Sequence, residues 1–212
     1  MFIRKVSVFL HATFHTQNRC DNLKKMTEKI NEISTEIKKA LEIIDNNEIE
    51  INSFEFNCNQ LKKKFHENDI TKDSFFGKLF NELKEIEHKP TIYWFEFQKT
   101  EFNPNKIFLE FKNYKEQNSE RKVPAIYKYP KDTNILYLGK SKQCLWGRLI
   151  LHLGFHIDKH SQGLLLSEWA EKLNLKLKFN YCSFDNNMSE LISFYEYKLA
   201  KNTKPLIGKH KL

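Results

Sequence analysis

The sequence predicts an α+β protein in two parts: a mainly helical region with one or two strands over residues 1–120, then a mixed region over 121–212 in which a hairpin and a third strand alternate with helices. Three observations predict it. Early in the chain an apolar residue recurs every seven positions, which is a helical period. After Pro124, short aromatic and β-branched runs are separated by turn residues, which is a hairpin pattern. Between the two, residues 115–123 are polar and end at a proline, a composition suited to a boundary. With 212 residues, 40% of them apolar and 18 of them phenylalanine, the chain can fill a core.

The elements follow in order. Leu23, Ile30, Ile37 and Ile44 repeat at sevens, with Met26, Ile33 and Ala40 offset by three, so a helix is expected over 23–44 with Asp21 or Asn22 as its cap. Its seam can serve a homodimer, although three heptads more often pair within one chain. A second helix is expected over 58–68. A third over 73–87 would bury Phe75, Phe76, Leu79, Phe80, Leu83 and Ile86. The run 91–97 is aromatic and β-branched and reads as a strand. Pro104 opens a helix reaching Tyr114. Strands over 125–129 and 135–139 flank a turn at 130–134 and make the hairpin. Helices over 145–153 and 164–173, a strand over 175–184 and a helix over 189–201 complete the chain, with Pro205 just beyond.

Composition narrows the function. No stretch approaches the roughly 20 apolar residues of a membrane span. Residues 1–14 place Arg4 and Lys5 before a short apolar run, but His11 interrupts it and no small-residue cleavage site follows. The expectation is a strand or short buried segment in a cytoplasmic protein. Cys20, Cys58, Cys144 and Cys182 are scattered without a CxxC pair, which suits free thiols and not structural zinc. Residues 1–118 hold 19 Lys+Arg against 19 Asp+Glu, whereas 119–212 hold 16 against 8. The whole net charge of +8 sits in the second part, which points to a polyanion there.

That same part carries the chemistry. Tyr127 ends the tripeptide Ala125-Ile126-Tyr127, and Tyr137 opens Tyr137-Leu138-Gly139 ten positions later. Arg148 and His152, four apart, share one helix face, and Glu196 lies in the last helix. Phosphodiester hydrolysis needs a positioned water, a stabiliser for the charge growing on phosphorus and help for the leaving oxygen. A guanidinium fork clamps a phosphate. Phenols and an imidazole can orient a water or move its proton. One carboxylate, completed by substrate phosphate and waters, suits Mg²⁺. Taken singly, each residue reads more simply: the tyrosines as strand packing, Arg148 and Glu196 as solvated charges, with Glu190 an equal candidate. His152, His156 and His160 recur at fours and would line a helix as a zinc site, but Gly154 and Asp158 argue against a continuous helix there.

On these residues the second part resembles the GIY-YIG nuclease family. The matching pieces are Ala-Ile-Tyr at 125–127, Tyr-Leu-Gly at 137–139, the run YLGKSKQCLWGRLILHL with Arg148 and His152, and the tail EYKLAKNTKPLIG starting at Glu196. Ala125 stands for the family's first glycine. Gly208 stands where an asparagine often follows the glutamate by twelve residues, with Asn202 or His210 as nearby substitutes. The resemblance implies a small three-stranded antiparallel sheet flanked by helices and a metal-dependent endonuclease acting on DNA through a water nucleophile. Mg²⁺ or Mn²⁺ would be held by Glu196. Tyr127 would work in or near general-base chemistry, Tyr137 would assist at water or phosphate, Arg148 would stabilise the transition state and His152 would orient a group or shuttle a proton. Lys140 and Lys142 would contact phosphate. The other expectations are a nucleic-acid-binding protein on a worn nuclease scaffold and a nuclease acting on RNA.

Overall fold

The computed structural model describes residues 24–39, 41–42, 49–61, 69–98, 103–156 and 158–209. The expectations for residues 1–14 and for Cys20 lie outside these, as does most of the helix expected over 58–68. The chain divides into two compact units, Met1–Glu48 and Ile49–Leu212. In the first, residues 24–39 form helix α1, all of it solvent-exposed.

The second unit is α+β. Its strands β1 (Asn52–Asn57), β2 (Thr91–Phe97), β3 (Ile135–Ser141) and β4 (Lys176–Ser183) form one antiparallel sheet in the order β1-β4-β2-β3. β2 is flanked on both sides, which explains why its aromatic, β-branched sequence TIYWFEF is buried almost throughout. One sheet face, carrying Phe56, Tyr93, Phe95, Leu177 and Phe179, packs into the main core. Helices α2 (Gly77–Glu85), α3 (Pro104–Gln117), α4 (Leu145–Leu153) and α5 (Leu166–Trp169) supply the rest of that core through Leu79, Phe80, Leu83, Phe108, Phe111, Leu149, Leu153 and Trp169. On the opposite face, Ile135, Leu138 and Trp94 meet Ala200 of helix α6 (Ile192–Thr203). Among the described residues no helix is long and apolar enough to cross a membrane.

The sheet corrects three expectations. It has four strands, not three. β1 is a second strand in the mainly helical part, at a position not expected, and its alternating Phe54 and Phe56 are the period-two signal that marks it. Residues 125–129 form no strand, and β3 pairs with β2 instead of closing a local hairpin. Pro124 and Pro130 bracket 125–129 and withhold ladder N–H groups, whereas six of the seven residues of β2 are strong strand formers. The free edge of β3 is covered by the tail after α6, where the N–H groups of Leu206 and Ile207 bond to the carbonyls of Ile135 and Leu136, both at 2.9 Å.

The boundary expected near residue 120 is also displaced, because β1 and β2 share a sheet with β3 and β4. Residues 121–123 are tied into the unit: Arg121 pairs with Glu168 at 3.2 Å, the Lys122 N–H reaches the Lys159 carbonyl, and Val123 is buried. Gly208 has φ +104° and donates its N–H to the Ala125 carbonyl at 2.9 Å. A glycine there meets a backbone requirement that an asparagine would satisfy with more strain.

Phe95 is fully buried between Phe179, Phe56 and His152. Phe95→Ala should cost about 3–5 kcal/mol of unfolding free energy in a denaturant titration. Tyr129→Ala, at a side chain 66% exposed, should stay within about 0.5 kcal/mol of the parent.

Candidate active site

The pairing of β2 with β3 sets the site. Tyr93 lies opposite Gly139, and Phe95 opposite Tyr137, before a bulge that skips Leu136 between Phe95 and Glu96. Tyr93 and Tyr137 therefore point to the same sheet face, with ring centroids 6.3 Å apart. A Cβ at position 139 would sit 2.6 Å from the Tyr93 hydroxyl oxygen and 2.9 Å from the Tyr137 ring. Position 139 is glycine because a tyrosine from the next strand crosses it.

Helix α4 brings the second layer. Leu145, Leu149 and Leu153 anchor it in the core, and the one-turn spacing then turns Arg148 and His152 toward the two phenols. The Tyr93 hydroxyl is 2.8 Å from His152 Nε2, and the His152 ring is 4.8 Å from that of Tyr137. Arg148 is within hydrogen-bonding reach of both hydroxyls, which also bond to each other. α4 ends at Gly154, whose φ of +94° provides a left-handed cap. The helical histidine row is thereby broken before His156, and the described residues hold no metal-binding group of three His, Cys, Asp or Glu.

The backbone fixes the tautomer of His152. The Leu164 N–H donates to Nδ1 at 3.2 Å, so Nδ1 carries the lone pair and the neutral ring carries its proton on Nε2. Nε2–H then donates to the Tyr93 oxygen. Leu164 is itself held, since the Trp169 indole N–H bonds to its carbonyl at 2.8 Å. Gly163 packs so closely on α4 that a Cβ would lie 2.2 Å from the Leu151 carbonyl oxygen. His152 is fully buried, and burial followed by the nearby Arg148 charge holds its pKa well below the usual imidazole value.

The ionisable groups around it shift one another. Burial raises both phenols, Tyr137 well above the ordinary tyrosine value, and Arg148 partly offsets this in each. Burial pulls Arg148 down, but attraction to and hydrogen bonding with Tyr93 and Tyr137 outweigh this and leave it raised. Glu196 of α6 faces this group and ion-pairs with Lys140 at the end of β3. Lys142 pairs with Glu190 at 3.0 Å on the surface, and Glu190 is 87% exposed, away from the phenols.

Of the residues expected from the sequence, the structure brings Tyr137, Arg148, His152, Glu196 and Lys140 together, with Lys142 at the rim. It does not bring Tyr127. That side chain lies in the loop after Pro124, with Lys131 Nζ 4.9 Å and Lys209 Nζ 6.0 Å from its ring centroid. Tyr93 holds the place expected for it. The signal was Thr91-Ile92-Tyr93, a tripeptide of the same form as Ala125-Ile126-Tyr127 inside the run 91–97 already expected to be a strand. Asn202 is exposed and His210 lies outside the described residues.

The donor set suits a hard divalent cation held through one carboxylate. Glu196 offers oxygen only, its side chain is 14% exposed, and Lys140 Nζ already marks it as a site for positive charge. No family model, curated protein or solved structure matches the chain.

The buried imidazole makes stability depend on pH. Its folded pKa lies below its unfolded value of about 6.5, so below that pH the unfolded chain takes up a proton that the folded chain refuses. Stability should be fully present above about pH 6.5 and fall as pH drops, by up to about 1.4 kcal/mol per pH unit. Urea midpoints between pH 7.5 and 5.5 read this slope. His152→Gln should flatten it, leaving the smaller contribution of His156, which is lowered in the same direction.

Proposed function

We propose that residues 49–212 form a GIY-YIG-type endonuclease that hydrolyses phosphodiester bonds in DNA with Mg²⁺ or Mn²⁺. The observation that carries the reading is the meeting of Tyr93, Tyr137, Arg148, His152 and Glu196 at one end of the sheet, from four separate elements. The metal, bound through Glu196, would supply charge at the scissile phosphate. Arg148 presents its fork to the non-bridging phosphate oxygens and stabilises the charge that grows there. Tyr93 holds the attacking water. Its oxygen receives the His152 Nε2–H and lies within reach of Arg148 and Tyr137, which leaves the phenolic proton to meet the water. His152 thus orients and is no base, because Leu164 occupies its only lone pair. Tyr137 fixes Tyr93 from the other side. With Glu196 holding the cation, Lys140 would be free to contact the substrate phosphate.

A surface for the rest of the nucleic acid adjoins this unit's tail. Tyr127 lies between Lys131 and Lys209, Lys128 sits 5.3 Å over the exposed Tyr129 ring, and Lys115 is depressed by burial and then by the charge of Lys209. Cations crowded among aromatic rings suit phosphates and bases together. The competing reading, a nucleic-acid-binding protein without activity, draws on the Lys140–Glu196 ion pair that already engages the carboxylate.

Cleavage of plasmid and single-stranded DNA, with Mg²⁺ and with chelator, tests the proposal. Tyr93→Phe and Arg148→Ala should each lower the rate on the order of 10²-fold or more, and Glu196→Gln should remove the metal-supported rate while leaving binding nearly intact. Tyr127→Phe and Glu190→Gln should change it little. Unimpaired Tyr93→Phe cleavage would sink the assignment, and binding without cleavage by the parent would favour the competing reading. Lys131→Glu with Lys209→Glu should weaken binding and flatten its salt dependence without changing the rate at saturating DNA.

A further inference from the structure

Helix α1 exposes an apolar stripe: Met26 is 57%, Ile30 56%, Ile33 55% and Ile37 37% exposed, at alternating steps of four and three. Such spacing is the seam of a two-helix coiled coil, which one helix cannot bury by itself. The charges beside the seam name its partner. We infer that α1 pairs with α1 of a second copy of this chain, antiparallel, in the register that sets Ile30 against Ile33 and Met26 against Ile37 of the other helix.

In that register the positions flanking the seam on one side bring Lys29 of each copy against Glu36 of the other, twice by symmetry, while Thr27 meets Ser34 on the other side. The alternatives lose this complementarity. Parallel helices would set Lys29 against Ser34 and Glu36 against Leu41, with no charge pair. An antiparallel pairing slipped by one heptad sets Glu36 against Glu36 in one direction and Lys29 against Lys29 in the other. One arrangement therefore buries the stripe and pairs its flanking charges. The pairing also sends the two chains out of the seam at opposite ends, about 24 Å apart for 16 helical residues. Nothing in this depends on the nuclease reading.

Sedimentation equilibrium of the full chain over a range of concentrations tests it, with no nucleic acid present. The parent should reach twice its 25.5 kDa mass. Lys29→Glu creates two facing glutamate pairs and Glu36→Lys two facing lysine pairs, so each should raise the dissociation constant about tenfold at low salt. The double variant Lys29→Glu/Glu36→Lys restores both pairs and should return it to within about threefold of the parent, which also shows that the single variants are folded. A chain that stays monomeric at every concentration overturns the inference. So does a dimer that Ile33→Asp dissociates but neither single charge change weakens.

Discussion

Tyr93 lies across Gly139, and most of the site is arranged by that crossing. The two strands could pair in another register and still bury their aromatic faces, but only this one places a phenol over a residue with no side chain. The hydroxyl then reaches His152 at 2.8 Å and comes within range of Arg148. A methyl group at position 139 would lie 2.6 Å from the Tyr93 oxygen, so the ring would have to move and its three polar neighbours would lose their common acceptor. The bulge at Leu136 serves the same end, because it lets Tyr137 stay on the inner face while the start of β3 feeds the other one.

Beside that crossing, the fully buried His152 has a reason to be tolerated. An imidazole with no access to solvent is costly unless both nitrogens are bonded. Here one accepts from Leu164 and the other donates to Tyr93. The ring can remain neutral beside a guanidinium for that reason, and its orientation is set by a loop that is itself clamped through Trp169 and packed on α4 through Gly163. Glu196 is paired with Lys140, while the neutral phenols give the arginine hydrogen-bond partners and no countercharge, so the cluster keeps one net positive charge.

The parts legible in the sequence were those whose period is local. Residues 91–97 and 145–153 read correctly because strand and helix periods are uninterrupted there, and α4's period placed Arg148 and His152 on one face. Tyr127 was misread because the tripeptide form is common to two places, and proximity in sequence favoured the one nearer Tyr137. What decided between them was long-range pairing, in which two prolines disqualify 125–129 and β4 supports β2 from the far side. β1 is six residues long, and its signal was two phenylalanines among polar neighbours. The neutral state of His152 was not legible at all, since it depends on complete burial, and its tautomer depends on one backbone N–H twelve residues away.

The strand order has a consequence for biosynthesis. Among the described residues β1 pairs only with β4, from Asn52 opposite Tyr181 to Asn57 opposite Lys176, and β4 also supplies the far side of β2. A nascent chain on the ribosome therefore carries β1 with an unfilled place beside it until the last strand emerges, and the glutamate follows only after that. The carboxylate and the strand that locks the tyrosines thus leave the ribosome nearly together. A chain still being translated holds a guanidinium and phenols but not the carboxylate, so the five side chains come together only when synthesis is nearly finished.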